Sequence, residues 1–279
     1  MPRRLQTRRA DAHVVALLTD FGCAGHHAGV VRGAVLASDP QARVVDLSNG
    51  IPAGDIVLGA WTLRWSWRHF PPGTVHLAVV DPGVGTARRA LAAAAGGQFF
   101  VGPDNGLLSY ALRDAGAADV ASLHHPGAAS GLSATFHGRD LFAPAAGSLS
   151  RGEPLARLGA RITDWVRLPE PLVSSTGPGR LAGEVIAIDH WGNLVTNLTA
   201  RDLARAGIGT DATVRVGRRA IHGLHWTYGD ASPGAPVALI NSNGHLEIAV
   251  NGDRAGEVLG ARRGGIIRIA ARTCVNNAG

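Results

Sequence analysis

The chain has 279 residues, a length that predicts about two domains. Hydrophobic residues make up 46% and charged residues 17%, a balance that excludes an intrinsically disordered chain. The formal net charge is +6, but only 5% of residues are aromatic, too few for the stacking platforms that bind single-stranded nucleic acid. No apolar run approaches the ~18 residues of a membrane-spanning helix. We therefore predict a cytoplasmic protein that binds neither nucleic acid nor a membrane.

The first half of the chain alternates strand-like and helix-like segments. Strands are predicted at 13–19, 43–48, 74–80, 90–95, 98–102 and 119–123, and helices at 26–37, 56–70, 107–114 and 139–150. Asp55 is placed to cap the second helix. This alternation predicts an α/β domain with a mainly parallel sheet and helices on both faces.

The second half contains short β-like runs separated by turn signals such as Asn243-Gly244 and Asn251-Gly252. These runs predict an antiparallel, β-barrel-like domain. The predicted organisation is a disordered basic arm at 1–12, an α/β domain at 13–168, a Pro/Gly/Ser-rich linker at 169–180 and an all-β domain at 181–279.

Two carboxylates, Asp20 and Asp81, directly follow strongly predicted strands. Ligands of open α/β sheets bind beyond the carboxyl ends of the strands, so both are candidate site residues. The same position suits an aspartate that only stabilises a turn or caps a helix. Two further polar motifs end apolar runs, GPDNG at 102–106 and TFHGRD at 135–140.

The glycine-rich stretch DPGVGTARR begins at Asp81 but is not a phosphate-binding loop. It lacks the GxGxxG spacing and a lysine, and its carboxylate would repel a phosphate. The loop can return an arginine to the aspartate, and this fork could hold a small anion or a water. Spacing alone does not decide whether Arg88 or Arg89 pairs with Asp81. It also leaves open that the pair is only an ion pair on the protein surface.

The cysteines and histidines predict neither disulfides nor a metal site. Cys23 and Cys274 stand far apart and are expected to be reduced thiols. Cys23 lies near His26 and His27, so a nucleophilic Cys–His pair is an alternative. The histidines show no metal-ligand spacing.

Six motifs, in order, resemble a known family. They are TDFG, VVDPGVGTARR, VGPDNGLL, TFHGRDLFAPAA, IDHWGNLVTN and VALINSNGHLEIAVN, and the resemblance spans roughly Val14 to Asn251. The family is that of the S-adenosyl-L-methionine (SAM) hydroxide adenosyltransferases, the adenosine-forming SAM hydrolases, whose halogenating relatives are fluorinase and chlorinase. The resemblance implies hydrolysis of SAM to adenosine and L-methionine by water attacking C5′. It also implies that no cofactor is needed and that the protein is a homotrimer with each site between neighbouring subunits.

The resemblance also implies a role for each matching residue. Asp81, Arg88 and His137 would be catalytic, Asp20 would bind the ribose hydroxyls and Asn193 would read the adenine edge. The remaining substrate-binding positions would be Ser242, Glu247, Val250 and, for the methionine ammonium, Asp189.

Two alternatives accompany this prediction. A halogenase of the same fold would lack the aspartate and arginine of the triad, but Asp81 and Arg88 are present. A non-catalytic SAM- or adenosine-binding protein would keep Asp20 and Asn193 without needing the triad. Trp191 stands where the family usually has phenylalanine, and it could still stack on a ligand.

Overall fold

The structure is a computed structural model that describes residues 13–124 and 132–272. The predicted arm at 1–12, His125 and Cys274 lie outside the described residues. The chain divides into two compact units, the first ending at Pro169 and the second beginning at Glu170. In the described part of the chain, no helix has the length and apolar character to cross a membrane.

Within the described residues, seven strands form the sheet of the first unit. They are β1 Val14–Thr19, β2 Arg43–Ser48, β3 Val75–Val79, β4 Ala90–Ala95, β5 Gln98–Pro103, β6 Asp119–Leu123 and β7 Gly159–Ile162. The helices are α1 His27–Ser38, α2 Ile56–Ser66, α3 Ser109–Ala115, α4 Ala143–Ser150 and α5 Leu155–Leu158. A 3₁₀ turn, Trp67–His69, extends α2, and a π-helical turn, Gly138–Phe142, leads into α4.

The strand order of this sheet is β2-β1-β3-β5-β4-β6-β7. The pairs from β2 to β5 are parallel, whereas β4, β6 and β7 are joined by antiparallel pairing. The predicted α/β class is confirmed, but the sheet is mixed rather than mainly parallel. The reason is that β4 and β5 form a hairpin, which Gly96 and Gly97 close with positive φ angles.

Helices cover both faces of the sheet, as predicted. Leu17 packs in one core with α1 and α4, and its neighbour Leu18 packs in another with α2 and α3. Successive strand residues point to opposite faces, so an unbroken apolar run such as β1 supplies both cores. The predicted cap of α2 is also confirmed, since the Asp55 carboxylate accepts from the Leu58 amide at 3.0 Å.

The second unit is built mainly of antiparallel strands. The strands are β8 Ser174–Gly177, β9 Arg180–Ile188, β10 Leu194–Thr199, β11 Thr213–Val216, β12 Arg219–His222, β13 Pro236–Ile240, β14 His245–Val250 and β15 Ile266–Ala270. Their order is β12-β11-β15-β9-β10-β14-β13, with β8 beside β9, and this barrel-like sheet confirms the predicted class.

Three local elements of this unit were not predicted from the sequence. Strand β8 lies inside the stretch 169–180 that was described above as a linker. Short helices α6, Ala200–Arg205, and α7, Ala255–Val258, interrupt a region predicted to be all-β. The signal for α6 was present, because Thr199 and Asp202 form a reciprocal capping box.

Candidate active site

Asp20 and Asp81 lie at the same edge of the first unit's sheet. They follow β1 and β3, which are adjacent parallel strands. The Asp20 carboxylate accepts a hydrogen bond from the Gly54 amide at 2.8 Å. Gly54 in turn lies against Pro82, since a Cβ there would be 3.8 Å from the Pro82 Cβ. The loop after β2 therefore links the surroundings of the two carboxylates.

Arg88 forms a bidentate ion pair with Asp81. Its Nε donates to Asp81 Oδ1 at 2.7 Å, and its Nη2 donates to Oδ2. The two side chains are only 10% and 6% exposed, so water screens the pair weakly. The guanidinium also lies over the ring of Phe142, with Cζ 5.2 Å from the ring centroid. These contacts hold the guanidinium in one orientation.

His137 completes this cluster. The residue is buried, and its Nδ1 lies 2.9 Å from Arg88 Nη2. A guanidinium can only donate hydrogen bonds, so Nδ1 must be the acceptor. The geometry therefore assigns the neutral imidazole the tautomer that carries its proton on Nε2.

Spacing alone did not decide which of the two adjacent arginines pairs with Asp81, and the structure does. Arg89 donates from Nε to Asp104 at 2.8 Å, and its other nitrogens bind the carboxylate and carbonyl of Asp164 at 2.8 and 2.9 Å. Arg88, not Arg89, joins Asp81 to His137.

Gly85 allows two chain segments of this cluster to approach each other closely. Its φ is +77°, and a Cβ there would lie 2.3 Å from the backbone oxygen of Ala134. The loop that carries Arg88 thus passes directly against the segment that leads to His137. Asp140 anchors that segment by accepting from the Ser133 amide at 2.8 Å, and its hydrogen bond from Arg139 lowers the pKa of the Asp140 carboxyl.

The second unit carries a cleft of about 780 Å³. Its walls are formed by His190, Trp191, Asn193, Tyr228, Val250, Asn251, Gly252, Asp253 and Arg254. The Trp191 side chain is 71% exposed, which leaves its ring available to a ligand. Of the five residues that the sequence assigned in this unit, two line the cleft, Asn193 and Val250.

Asp189 lies directly behind Asn193. One carboxylate oxygen accepts from the Asn193 backbone amide at 2.8 Å, and the other accepts from Nδ2 at 3.0 Å. This double hydrogen bond fixes the side-chain amide, so that Asn193 presents its carboxamide in a defined orientation.

Glu247 reaches the cleft through another side chain. The residue is buried, and its carboxylate accepts from the Tyr228 hydroxyl at 2.8 Å and from Asn241 Nδ2 at 2.9 Å. Partial burial and the hydrogen bond to Glu247 raise the pKa of the Tyr228 hydroxyl. Sequence reasoning missed Tyr228, because its polar turn carries no motif beyond a capping signal. Ser242 is exposed in the turn between β13 and β14.

The alternative chemistry around Cys23 gains no structural support. Cys23 is exposed, the His26 ring stacks on His27, and the His27 ring packs edge-on against Phe136. Across 13–124 and 132–272, no group of three His, Cys, Asp or Glu side chains converges as metal ligands.

Family models match both units of the chain. The model of the SAM hydroxide adenosyltransferase N-terminal domain matches residues 15–159, and that of the C-terminal domain matches residues 183–268. The chain is 40% identical to the (R)-S-adenosyl-L-methionine hydrolase of Salinispora tropica, over 92% of this chain and 97% of that protein. It is 29% identical to a fluorinase of an Actinoplanes species, over 85% of this chain and 91% of that protein.

A crystal structure of an uncharacterised conserved protein from Thermotoga maritima superimposes with a TM-score of 0.83 at 33% identity. The match covers 92% of this chain and all of that one. Because both family models and full-length relatives match, the chain belongs to the SAM hydroxide adenosyltransferase family.

Proposed function

We propose that this protein hydrolyses SAM to adenosine and L-methionine. The observation that carries the proposal is the buried cluster in which Arg88 contacts both Asp81 and His137. A halogenase of this fold is expected to lack the aspartate and the arginine. A protein that only binds SAM would have no use for the whole cluster.

The chemistry needs an activated water rather than a general acid. The sulfur of SAM is a sulfonium, so methionine leaves as a neutral thioether without being protonated. Water is a poor nucleophile, and we propose that Arg88 and the Nε2 proton of His137 stabilise the negative charge that develops on its oxygen. Asp81 holds the Arg88 guanidinium in place through its two hydrogen bonds.

The step balances as a direct substitution at carbon. The water oxygen forms a bond to C5′ while the C5′–S bond breaks and its electron pair goes to sulfur. The proton that the water loses passes to the solvent, and the new group is the 5′-hydroxyl of adenosine. Attack must come opposite sulfur, so the substrate has to be held rigidly.

Binding is assigned to both units of the chain. Asp20 would accept hydrogen bonds from the ribose hydroxyls, since a carboxylate keeps lone pairs beyond the one that Gly54 uses. Asn193 and the backbone at Val250 would contact the adenine in the cleft, with Trp191 and Tyr228 as stacking surfaces. The remaining assigned residues are Asp189, which would orient Asn193, Glu247, which would hold Tyr228, and Ser242, which would bind the methionine part.

We further propose that neither a metal nor an organic cofactor takes part, because the sulfonium already supplies the leaving group. The homotrimer and the cytoplasmic location stay predictions from the sequence and the family resemblance.

The test is to incubate the protein with SAM in ¹⁸O-labelled water and to separate the products. We expect equal amounts of adenosine and methionine, with the label in the 5′-hydroxyl of adenosine. S-adenosylhomocysteine as the product would point to a methyltransferase and overturn the proposal. Formation of a 5′-halogenated nucleoside in preference to adenosine, when halide is added, would favour the halogenase.

A further inference from the structure

A second cavity, of about 640 Å³, opens on the outer face of the second unit's sheet. Four arginines line it, Arg180 of β9, Arg215 of β11, Arg268 of β15 and Arg272, together with His222 of β12. We call the four arginines the arginine cluster. All four are exposed, whereas their neighbours along β11 and β15 alternate into the core. The cavity shares no residue with the cleft around Asn193.

The strand register places these arginines side by side. Arg215 lies directly opposite Arg268 in the antiparallel β11–β15 pair. Arg180 of β9 lies opposite Ala270, two residues further along β15. Directly opposite residues have Cβ atoms only about 5 Å apart, and like charges in such a pair destabilise a sheet. The sheet therefore carries a repulsion that a bound anion would relieve.

No carboxylate neutralises the cluster within the described residues. None of the four arginines forms an ion pair with a described residue. The carboxylate of Glu184 is on the same face, but Glu184 lies opposite Ile266, two residues along β9 from Ala182, the partner of Arg268. Outside the described residues the only acidic side chain is Asp11.

The remaining walls indicate which anion fits. The hydroxyls of Thr176 and Thr213 can donate hydrogen bonds, and the small side chains Ala270 and Ala271 leave room above the sheet. Guanidinium groups bind phosphate oxygens in bidentate fashion. His222 carries the only aromatic ring among the cavity-lining residues, so the cavity lacks the succession of rings on which the bases of a single-stranded nucleic acid stack.

We propose that the arginine cluster binds a compact anion with several phosphate groups, such as inorganic triphosphate. This site shares no residue with the proposed hydrolytic site and does not rest on the proposed function.

Titration calorimetry with inorganic triphosphate, at ~150 mM salt to screen non-specific attraction, tests the proposal. We expect saturable binding of one triphosphate per chain, weakened about tenfold or more in the double variant Arg215→Gln/Arg268→Gln. The matched control is Arg201→Gln/Arg205→Gln, which removes the same charge from α6 of the same unit. That control should bind within about twofold of the unaltered protein.

Thermal unfolding separates loss of binding from loss of folding. The double variant removes a like-charge pair, so its Tm should be no lower than that of the unaltered protein. Triphosphate should raise the Tm of the unaltered protein and of the control, but not of the double variant.

Four results would overturn the proposal. The first is the absence of saturable triphosphate binding below ~1 mM, and the second is an equal weakening of triphosphate binding in both double variants. The third is that a single-stranded oligonucleotide binds more tightly than triphosphate and that Arg215→Gln/Arg268→Gln abolishes its binding, and the fourth is a change of oligomeric mass in that variant. The third would identify a nucleic-acid surface, and the fourth a contact with a second copy of the chain.

Discussion

Arg88 and Arg89 are neighbours in the chain but belong to different networks. Arg88 lies between Asp81 and His137, and Arg89 lies between Asp104 and Asp164. The Arg89 side chain is 34% exposed, against 10% for Arg88. The two arginines therefore serve as a matched pair for separating catalysis from general electrostatics.

Replacing Arg88 should impair the chemical step. We expect Arg88→Ala to lower kcat by ~10²–10³ with a much smaller change in SAM affinity, as the loss of a transition-state stabiliser does. Arg89→Ala removes the same charge one residue away and should leave kcat within a few-fold. Initial rates of adenosine formation across SAM concentrations measure both. Full activity in Arg88→Ala would show that the catalytic residues are misplaced.

Buried His76 predicts acid sensitivity of the fold. The residue lies on β3, its Nε2 is 2.5 Å from Gln98 Oε1, and burial lowers its pKa to about 4. In the unfolded chain its pKa is near 6.5, so below that pH the unfolded state binds a proton that the folded state does not bind. Stability from this residue is complete above pH 6.5 and is lost as the pH falls towards 4.

The size of this effect is measurable by urea unfolding. Between about pH 7 and pH 4.5, protonation linked to His76 should lower the free energy of unfolding by about 2–3 kcal/mol. His76→Gln keeps an amide donor for Gln98 and should lose this part of the pH dependence. His69→Gln, which alters an exposed histidine, should keep it. Identical pH profiles for His76→Gln and the unaltered protein would contradict the assignment.

At the level of elements, the loop after β3 and the segment before the π-helical turn form one assembly. Gly85 has its backbone against the Ala134 carbonyl, which lets Arg88 of one segment meet His137 of the other. Gly97, in the hairpin between β4 and β5, has the same φ of +77° but open space where a Cβ would be.

Alanine substitutions at Gly85 and Gly97 separate the effect of backbone strain from the effect of a close contact between segments. Both Gly85→Ala and Gly97→Ala should lose about 1–2 kcal/mol of stability, because alanine is strained at positive φ. Only Gly85→Ala must also push the two segments apart, so it should reduce adenosine formation by about tenfold or more under folding conditions. Equal activities in the two variants would contradict a role for this contact in positioning Arg88.

For the whole molecule, the candidate residues divide between two units. The triad and Asp20 lie in the unit that ends at Pro169, and the Asn193 cleft lies in the unit that begins at Glu170. The family resemblance predicts that neighbouring subunits combine these halves in a trimer.

Oligomeric state tests that prediction. We expect the mass in solution, measured by light scattering, to be three times that of the chain, and activity to fall on dilution into subunits. An active monomer would contradict it. Deletion of residues 1–12 should leave the number of subunits and the activity unchanged, because the match to the N-terminal family model begins at residue 15.

Much of the fold could be predicted from the sequence because its signals are local. Runs such as β1 alternate between two cores, Asp55 caps the helix that it precedes, and the carboxylates Asp20 and Asp81 follow strands that parallel pairing brings to one edge. Motif order likewise predicted the family, which the comparisons confirm. The antiparallel half of the sheet was not predicted. Gly96-Gly97 is a local hairpin signal for the β4–β5 pair that the prediction did not use, whereas the pairing of β6 with β4 and of β7 with β6 joins distant segments and depends on packing of the whole sheet.

Only the tertiary structure decided which side chains meet. Arg88 and His137 are 49 residues apart, so no spacing rule could choose Arg88 over Arg89. The buried carboxylate of Glu247 holds Tyr228, a residue from another turn that no motif marked. Sequence periodicity fixes a residue's face on its own strand or helix, whereas contacts between distant segments depend on packing and on close approaches such as that at Gly85.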